Sequence, residues 1–341
     1  MATEQGSVNP GQTAVIAVDL GGTKLASCLF AENGVQQLRS VVTLEKRQGA
    51  ALGELITGEV RRLRGAAVQL GLLVKAVGVS IPGIANPRTG RVWAQNLPGW
   101  EDYPLRTEVR AAIADTTVKV VVGDDRTAYI LGEAWQGAAR GCRDAIFLAV
   151  GTGIGAGILA DGRVLHGAHG IAGAIGWMAL DRTFRPEYGT CGCFESYASG
   201  EGLAKELAAA LAEWPAYRGP LRVAGGATAH ELFQAYEDGD EVARKVLTRA
   251  VEYWGMASAN LVSLFNPEKI VFGGGVFGPA TQFLEAIADE ARRWAQPISM
   301  GRVTFEASQL GSDAGLFGAG YLAMFGSKMR RSSTNRHVVN E

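Results

Sequence analysis

Asp124 and Asp125 close an apolar run, Val118 to Val122, that ends in Gly123. A strand passing directly into a helix delivers both carboxylates to the helix mouth, where one of them can act as a general base. Two glycine turns flank the pair in sequence, Asp19-Leu-Gly-Gly-Thr-Lys24 and Gly151-Thr-Gly-Ile-Gly-Ala-Gly157. Glycine lets successive backbone N–H groups approach anionic oxygens without a Cβ in the way, which makes a concave anion site. Gly21, Gly22, Gly151, Thr152 and Gly153 are therefore candidate phosphate contacts, with Thr23 and Lys24 adding a hydroxyl and a point charge. Asp19 can hold Mg2+ through water. A third run, Gly273, Gly274 and Gly275, follows an apolar strand and can lie against a planar base such as adenine. Each turn alone reads as a tight turn and no more, with Asp19 capping the first and Asp125 serving as a helix N-cap. Three of them at strand ends, with acids beside them, read as a phosphoryl-transfer site.

The spacing excludes two common nucleotide loops. There is no G-x-x-x-x-G-K-[ST], and Gly151, Gly153, Gly155 and Gly157 alternate instead of following G-x-G-x-x-G. Apolar runs on both sides of the first two turns predict hairpins, with Gly21 and Gly22 expected to use positive φ angles.

The elements that position these residues are α/β. Strands are expected over 13–19, 25–30, 76–81, 118–122, 145–150, 156–159 and 269–272, and helices over 50–71, 127–139, 201–211, 228–264 and 314–324. The two strand-glycine-strand hairpins suggest a weakly duplicated core. The polar ends, 1–12 and 327–341, read as disordered. Between them a small N-terminal lobe is expected over 13–122, with the helix 314–326 packing back on it, and a large C-terminal lobe over 123–313.

A chain of 341 residues with 47% hydrophobic content can bury substantial cores, and its length suggests two domains. Lys and Arg (33) nearly balance Asp and Glu (34), so no basic field gathers nucleic acid or an anionic membrane. No apolar run is long enough for a membrane span, and the first residues lack the pattern of a signal peptide. The expectation is a cytoplasmic enzyme acting on small molecules. Four cysteines, two of them separated by one glycine, do not make a disulfide framework.

In this order and spacing the motifs resemble the ROK family of sugar kinases. The resemblance is carried by the Asp19 to Lys24 start, Gly78-Val-Ser-Ile-Pro-Gly83, Asn96-Leu-Pro-Gly-Trp100, the Asp pair, and Leu148 to Ile158 followed by His166-Gly167. It runs from about Val15 to Met324. It implies two RNase H-like lobes of the actin-like ATPase class, with ATP and sugar in a cleft between them, Mg2+ as the metal, and a homodimer. It also implies transfer of the γ-phosphoryl to a sugar hydroxyl, usually O6, as in glucokinases. The family's Asn-Asp pair falls on Asp124 and Asp125, which makes Asp125 the matching base. Two adjacent carboxylates raise each other's pKa when buried, so which one carries the proton stays open at this point. Asn96, Asp124 and Glu195 match sugar-facing positions.

The pattern breaks in one region. Where the family has Ala-Gly-Glu-Ile-Gly-His, this chain has Ala172-Gly-Ala-Ile-Gly-Trp177, so a carboxylate and an imidazole that would meet the sugar are replaced by a methyl group and an indole face. Trp177 is retained as a candidate sugar contact, and Trp93, Trp100 and Tyr197 as a possible sugar platform beside core packing. The family's zinc element, aligned back from Cys193-Phe-Glu195, meets Pro186 and Tyr188 where cysteines belong. No structural zinc is expected. An alternative set is His166, His169, Cys191 and Cys193. Two functions remain, an ATP-dependent sugar kinase and a catalytically degenerate sugar sensor or regulator. The polar stretch before the first strand is too short for the helix-turn-helix that ROK repressors carry.

Overall fold

The structure, a computed structural model, describes residues 11–94, 97–223 and 226–331, with side chains to Gly326. It divides into two compact units. The first is built from the chain up to Gly137, from Gly167–Ile171 and from Asp313 onward. The second comprises Ala138–His166 and Ala172–Ser312.

Short apolar runs punctuated by glycine set up the first unit. Strands β1 (Thr13–Leu20) and β2 (Lys24–Ala31) pair antiparallel around Gly21 and Gly22, and β3 (Gln36–Thr43) adds an outer strand. Helix α1 (Gly49–Gln69) then crosses over to β4 (Leu73–Ile81), which pairs parallel to β1. After the two-residue strands β5 (Ile84–Ala85) and β6 (Val92–Trp93), helix α2 (Leu105–Ile113) leads to β7 (Lys119–Asp124), parallel to β4. Parallel neighbours require such crossovers. The sheet order is β3-β2-β1-β4-β7. Helix α3 (Asp125–Gln136) follows β7 directly, and α11 (Ala314–Arg331) packs on α3, β1 and β4. The close approach is possible because Gly78 on β4 and Gly318 on α11 present bare backbone; a Cβ at either would overlap a backbone carbonyl, of Ala319 and Ala128 respectively. Gly78 is thus a packing glycine inside a sheet.

The second unit repeats the layout. Strands β8 (Ala145–Val150) and β9 (Ile154–Ala160) form the hairpin around Gly151 to Gly153, and β10 (Arg163–Val164) lies outside them. Four helices follow, α4 (Tyr188–Cys191), α5 (Cys193–Ala198), α6 (Gly200–Glu213) and α7 (Ala229–Glu237), and then α8 (Glu241–Phe265). Strand β11 (Lys269–Gly273) pairs parallel to β8, and after α9 (Leu284–Trp294) and α10 (Pro297–Met300), β12 (Thr304–Ala307) pairs parallel to β11. The order β10-β9-β8-β11-β12 reproduces that of the first sheet strand for strand. The chain is α/β with two RNase H-like units, and the duplicated core suggested by the two hairpins is present.

Several expectations are corrected. Gly21 and Gly22 both keep negative φ; the turn closes by Gly21 N–H donating to the Lys24 carbonyl at 2.9 Å. The helical region 228–264 is two helices, broken at Asp238-Gly239-Asp240. Gly239 takes φ +84°, and Asp240 caps α8 by accepting from Ala243 N–H. Helix α3 belongs to the first unit, not at the head of the second. Among the described residues no helix is long and apolar enough to cross a membrane.

Candidate functional site

In the first unit the parallel strands end on one edge, where open α/β sheets place their ligands. The register sets Asp19 of β1 beside Ser80 of β4, and Ser80 beside Gly123 of β7, so three strand ends form one row. Asp124 ends that row and Asp125 opens α3. The two acids then divide their tasks. Asp124 is the N-cap: its Oδ1 accepts from Thr127 N–H at 3.0 Å, its Oδ2 from the Thr127 hydroxyl at 2.8 Å, and Arg126 Nε lies 3.6 Å from Oδ1. Asp125 therefore is not the cap. Its Oδ1 accepts one backbone bond, from Arg126 N–H at 2.8 Å.

Packed round by protein yet keeping some accessible surface, the Asp125 carboxyl is pushed up to about 7. Burial is the main cause, followed by the charge of Asp124, with Arg126 opposing and Asp19 adding a smaller push. Burial also lifts Asp19 to about 6, and the Asp313 charge raises it further, while the Ser80 hydroxyl dipole offsets part of the rise. Ser80 Oγ and Asp19 Oδ1 nevertheless have no well-formed hydrogen bond among the described residues. Tyr129, one turn along α3, feels both Asp125 and Asp19, and burial with those charges holds its phenol firmly protonated.

Asp19 is also held by a glycine that the sequence reading did not single out. A Cβ on Gly315, in the first turn of α11, would sit 2.5 Å from both Asp19 carboxylate oxygens, so only glycine lets the helix start reach the acid. Asp313, just before α11, pairs with Arg39 at 2.6 Å. The signal for both was an Asp at the head of a Gly and Ala rich helix, Asp313-Ala-Gly315. Gly315→Ala should displace the Asp19 carboxylate and lower turnover roughly 10- to 100-fold. It should also raise the Mg2+ concentration needed for half-maximal rate; steady-state assays over a Mg2+ series check this.

These residues fit Mg2+. Oxygen donors carry surplus negative charge, and a buried carboxylate oxygen lacks a partner. Among the described residues no three His, Cys, Asp or Glu converge to grip a metal by themselves, so Asp19 would act with water and phosphate oxygens. Zinc is different. Cys193 is buried in the apolar core, and Cys191 Sγ lies 3.2 Å from Ser196 Oγ, so His166, His169, Cys191 and Cys193 form no such group.

In the second unit the glycine turn closes by Gly151 N–H donating to the Gly153 carbonyl at 2.9 Å. Gly200 N–H, at the start of α6, donates to the Gly151 carbonyl at 2.8 Å, which seats a helix N-terminus on the turn, a favourable setting for an anion. Gly273 ends β11 beside this hairpin; Gly274 takes φ +91° against the Val150 backbone, and Val276 N–H donates to the Val150 carbonyl at 3.0 Å. Gly275 faces open space. Glu195 on α5 pins the same turn, its Oε2 accepting from Ile154 N–H at 2.6 Å. Burial raises the Glu195 carboxyl, and that bond offsets part of the rise. Trp177 ends a 3-10 turn, Ile175–Trp177, and is 56% exposed. A groove of about 790 Å3 runs beside α6, lined by Ala204, Lys205, Ala208, Leu221, Val223 and Thr228.

The remaining candidates separate. Thr23 and Lys24 are exposed at the first turn, with the Thr23 carbonyl accepting from Leu44 N–H at 2.9 Å. Asn96 lies outside the described residues; the following Trp100 is buried, stacked on Tyr103 at 4.4 Å, and donates to the Gly49 carbonyl at 3.0 Å. Tyr197 is likewise in the core of its unit, stacked on Tyr253 at 4.3 Å. Trp100 and Tyr197 thus cannot form a sugar platform, whereas Trp93, 44% exposed, and Trp177 keep open faces.

With this geometry in hand, comparison with known proteins is decisive for the family: residues 15–325 of the chain match the ROK family. This chain belongs to the ROK family. It is 32% identical over 320 residues to a glucokinase of Halalkalibacterium halodurans, covering 90% of this chain and 94% of that protein. It is 29% identical to a xylose repressor of Caldicellulosiruptor bescii, covering 72% of this chain and 61% of that one. A solved ROK glucokinase of Streptomyces griseus, in complex with glucose and AMPPNP, superposes with a TM-score of 0.74 at 29% identity, covering 91% of this chain and 98% of that structure. The two RNase H-like units are those of ROK sugar kinases.

Proposed function

We propose that this ROK protein is an ATP-dependent sugar kinase that phosphorylates a hexose hydroxyl, by default O6, with Asp125 as the general base. The observation that carries this reading is the division of labour in the acid pair. Asp124 is fully engaged in capping α3, which leaves Asp125, just past the end of β7 and two strands along the sheet from Asp19, with a carboxyl pushed up to about 7. A base for proton transfer is most effective with its pKa near the working pH.

The sugar O–H proton passes to Asp125 as the new O–P bond forms and the bond between the γ-phosphorus and ADP breaks. In a loose transition state the proton moves late, so Asp125 chiefly orients the hydroxyl. Mg2+, when bound, neutralises phosphate charge. Asp19 would hold the ion through water; the amides of Gly22, Thr152 and Gly153, with Thr23 and Lys24, would receive phosphate oxygens, since the N–H groups of Gly21 and Gly151 are taken up in closing their turns. Gly273 to Gly275 and the groove beside α6 suit the flat base of the nucleotide. Asn96, Glu195 and Trp177 are assigned to the sugar.

A sugar-binding sensor is the second reading, favoured by Ala174 and Trp177, which remove two polar contacts, and by the repressor relative. Coupled ADP release on a panel of hexoses, amino sugars and glycosides separates the two. The kinase reading expects one sugar class to drive release well above the sugar-free rate. Binding of a sugar by calorimetry with no release from any of them would establish the sensor instead. Losing a buried hydrogen-bond partner can shift discrimination by orders of magnitude, so the preferred sugar is expected to differ from glucose at the position facing Trp177.

A further inference from the structure

The segment between Trp177 and Glu195 is held by hydroxyls. Tyr188 Oη and Tyr197 Oη lie 2.6 Å apart, and both reach Asp181 Oδ2, at 3.1 and 3.2 Å. Three oxygens thus share two hydroxyl protons around one carboxylate. This triangle is anchored from behind. Tyr197 stacks on Tyr253 of α8 with the Arg249 guanidinium 4.6 Å above its ring, and Arg249 is paired with Glu206 of α6 at 2.8 Å. Phe184 meets the Tyr188 ring edge-on at 6.0 Å.

The same short helix carries Glu195 two residues before Tyr197. Glu195 Oε2 is wedged against Gly176 as well as Gly153, so rotation of α5 would shift the acid out of both contacts. Gly192, at φ +89°, brings the chain before α5 against the Trp177 backbone. The two thiols here are occupied otherwise, Cys193 in the core and Cys191 with Ser196.

We propose that Asp181, Tyr188 and Tyr197 form a metal-independent clamp that positions Glu195 and Trp177 for the sugar. These three are positioning residues, and their link to the sugar rests on the kinase reading above. A zinc ion is unnecessary because α5 is tied down through α6 and α8 by the aromatic stack and the tyrosine triangle.

The test compares the full chain with Tyr188→Phe, Tyr197→Phe, the double variant, Asp181→Ala and Asp181→Asn. Hydrogen exchange of 178–193, with and without chelator, is measured beside zinc content and the KM values for ATP and for the best acceptor among glucose, mannose, glucosamine and N-acetylglucosamine. The double variant and Asp181→Ala should lose protection across the segment and raise the sugar KM about tenfold, with the ATP KM changed less than about twofold. Asp181→Asn, which keeps a carbonyl acceptor, should recover most of both. Chelator should leave the wild-type protein unchanged. Stoichiometric zinc with chelator-induced loss of protection overturns the proposal, and so does unchanged exchange in the double variant. A loosened segment with an unchanged sugar KM reduces the triangle to a fold element and overturns its positioning role. If no acceptor is turned over by the wild type, the kinase reading and the sugar-positioning role fail together, while the exchange data still decide whether the clamp exists.

Discussion

Asp125→Asn should lower kcat about 1,000-fold while leaving the KM values for ATP and sugar within a few-fold, since the amide keeps the shape and the Arg126 backbone bond but cannot take the proton. The same variant should be more stable than wild type in mild alkali. The Asp125 carboxyl titrates near 7 in the folded protein against 3.8 in a free chain. The folded state therefore holds a proton that the unfolded state has released. Its stabilising effect is full below about pH 4 and is lost as pH rises through about 7. Asp19, raised to about 6, has the same sign. An Asn at 125 removes that loss, so urea melts without Mg2+ at about pH 8 should show a gain on the order of 1 kcal/mol, shrinking toward pH 5. A variant that loses activity and stability together would point to a structural role for Asp125.

Glu195→Ala should lower kcat/KM about 100-fold and disturb both substrates, because it strands Ile154 N–H at the glycine turn and removes the acid from the sugar side. Glu195→Gln should separate these effects. Its side-chain carbonyl can still accept from Ile154 N–H, so the ATP KM should stay near wild type, while the loss of a charged acceptor raises the sugar KM about tenfold. Two-substrate steady-state kinetics on both variants checks the split. Equal effects of Gln and Ala on the ATP KM would mean the turn depends on the charge and not on the hydrogen bond.

Apolar runs bounded by glycine made both hairpins, β1–β2 and β8–β9, and the β7–α3 junction legible in the sequence, because a two-residue period and a glycine turn are local properties. Strand β3 was not. Its Gln36-Gln-Leu-Arg-Ser-Val-Val-Thr43 is half polar, as an outer strand can be, and its place comes from pairing with β2. The split between α7 and α8 was readable at Asp238-Gly239-Asp240 and was overridden by continuous helical spacing on either side. The acid pair announced chemistry, yet which member caps and which remains available depends on where α3 begins, a matter of one residue. Asp313 and Gly315 reach Asp19 from the far end of the chain, and no local pattern carries that contact. Trp100 and Tyr197 show the converse: aromatics next to motif segments that turn inward once the stacking partners Tyr103 and Tyr253 are in place.

The most direct measurement is a single-turnover reaction with γ-labelled ATP and the preferred sugar, followed from about pH 5 to about pH 9. The account predicts label appearing on the sugar only when sugar is present, at a rate that rises with pH and levels off above about 7 as the Asp125 proton is lost, and a pH-independent residual rate in Asp125→Asn. Label released as free phosphate at the same rate with or without sugar, or an Asp125→Asn profile indistinguishable from wild type, would contradict it.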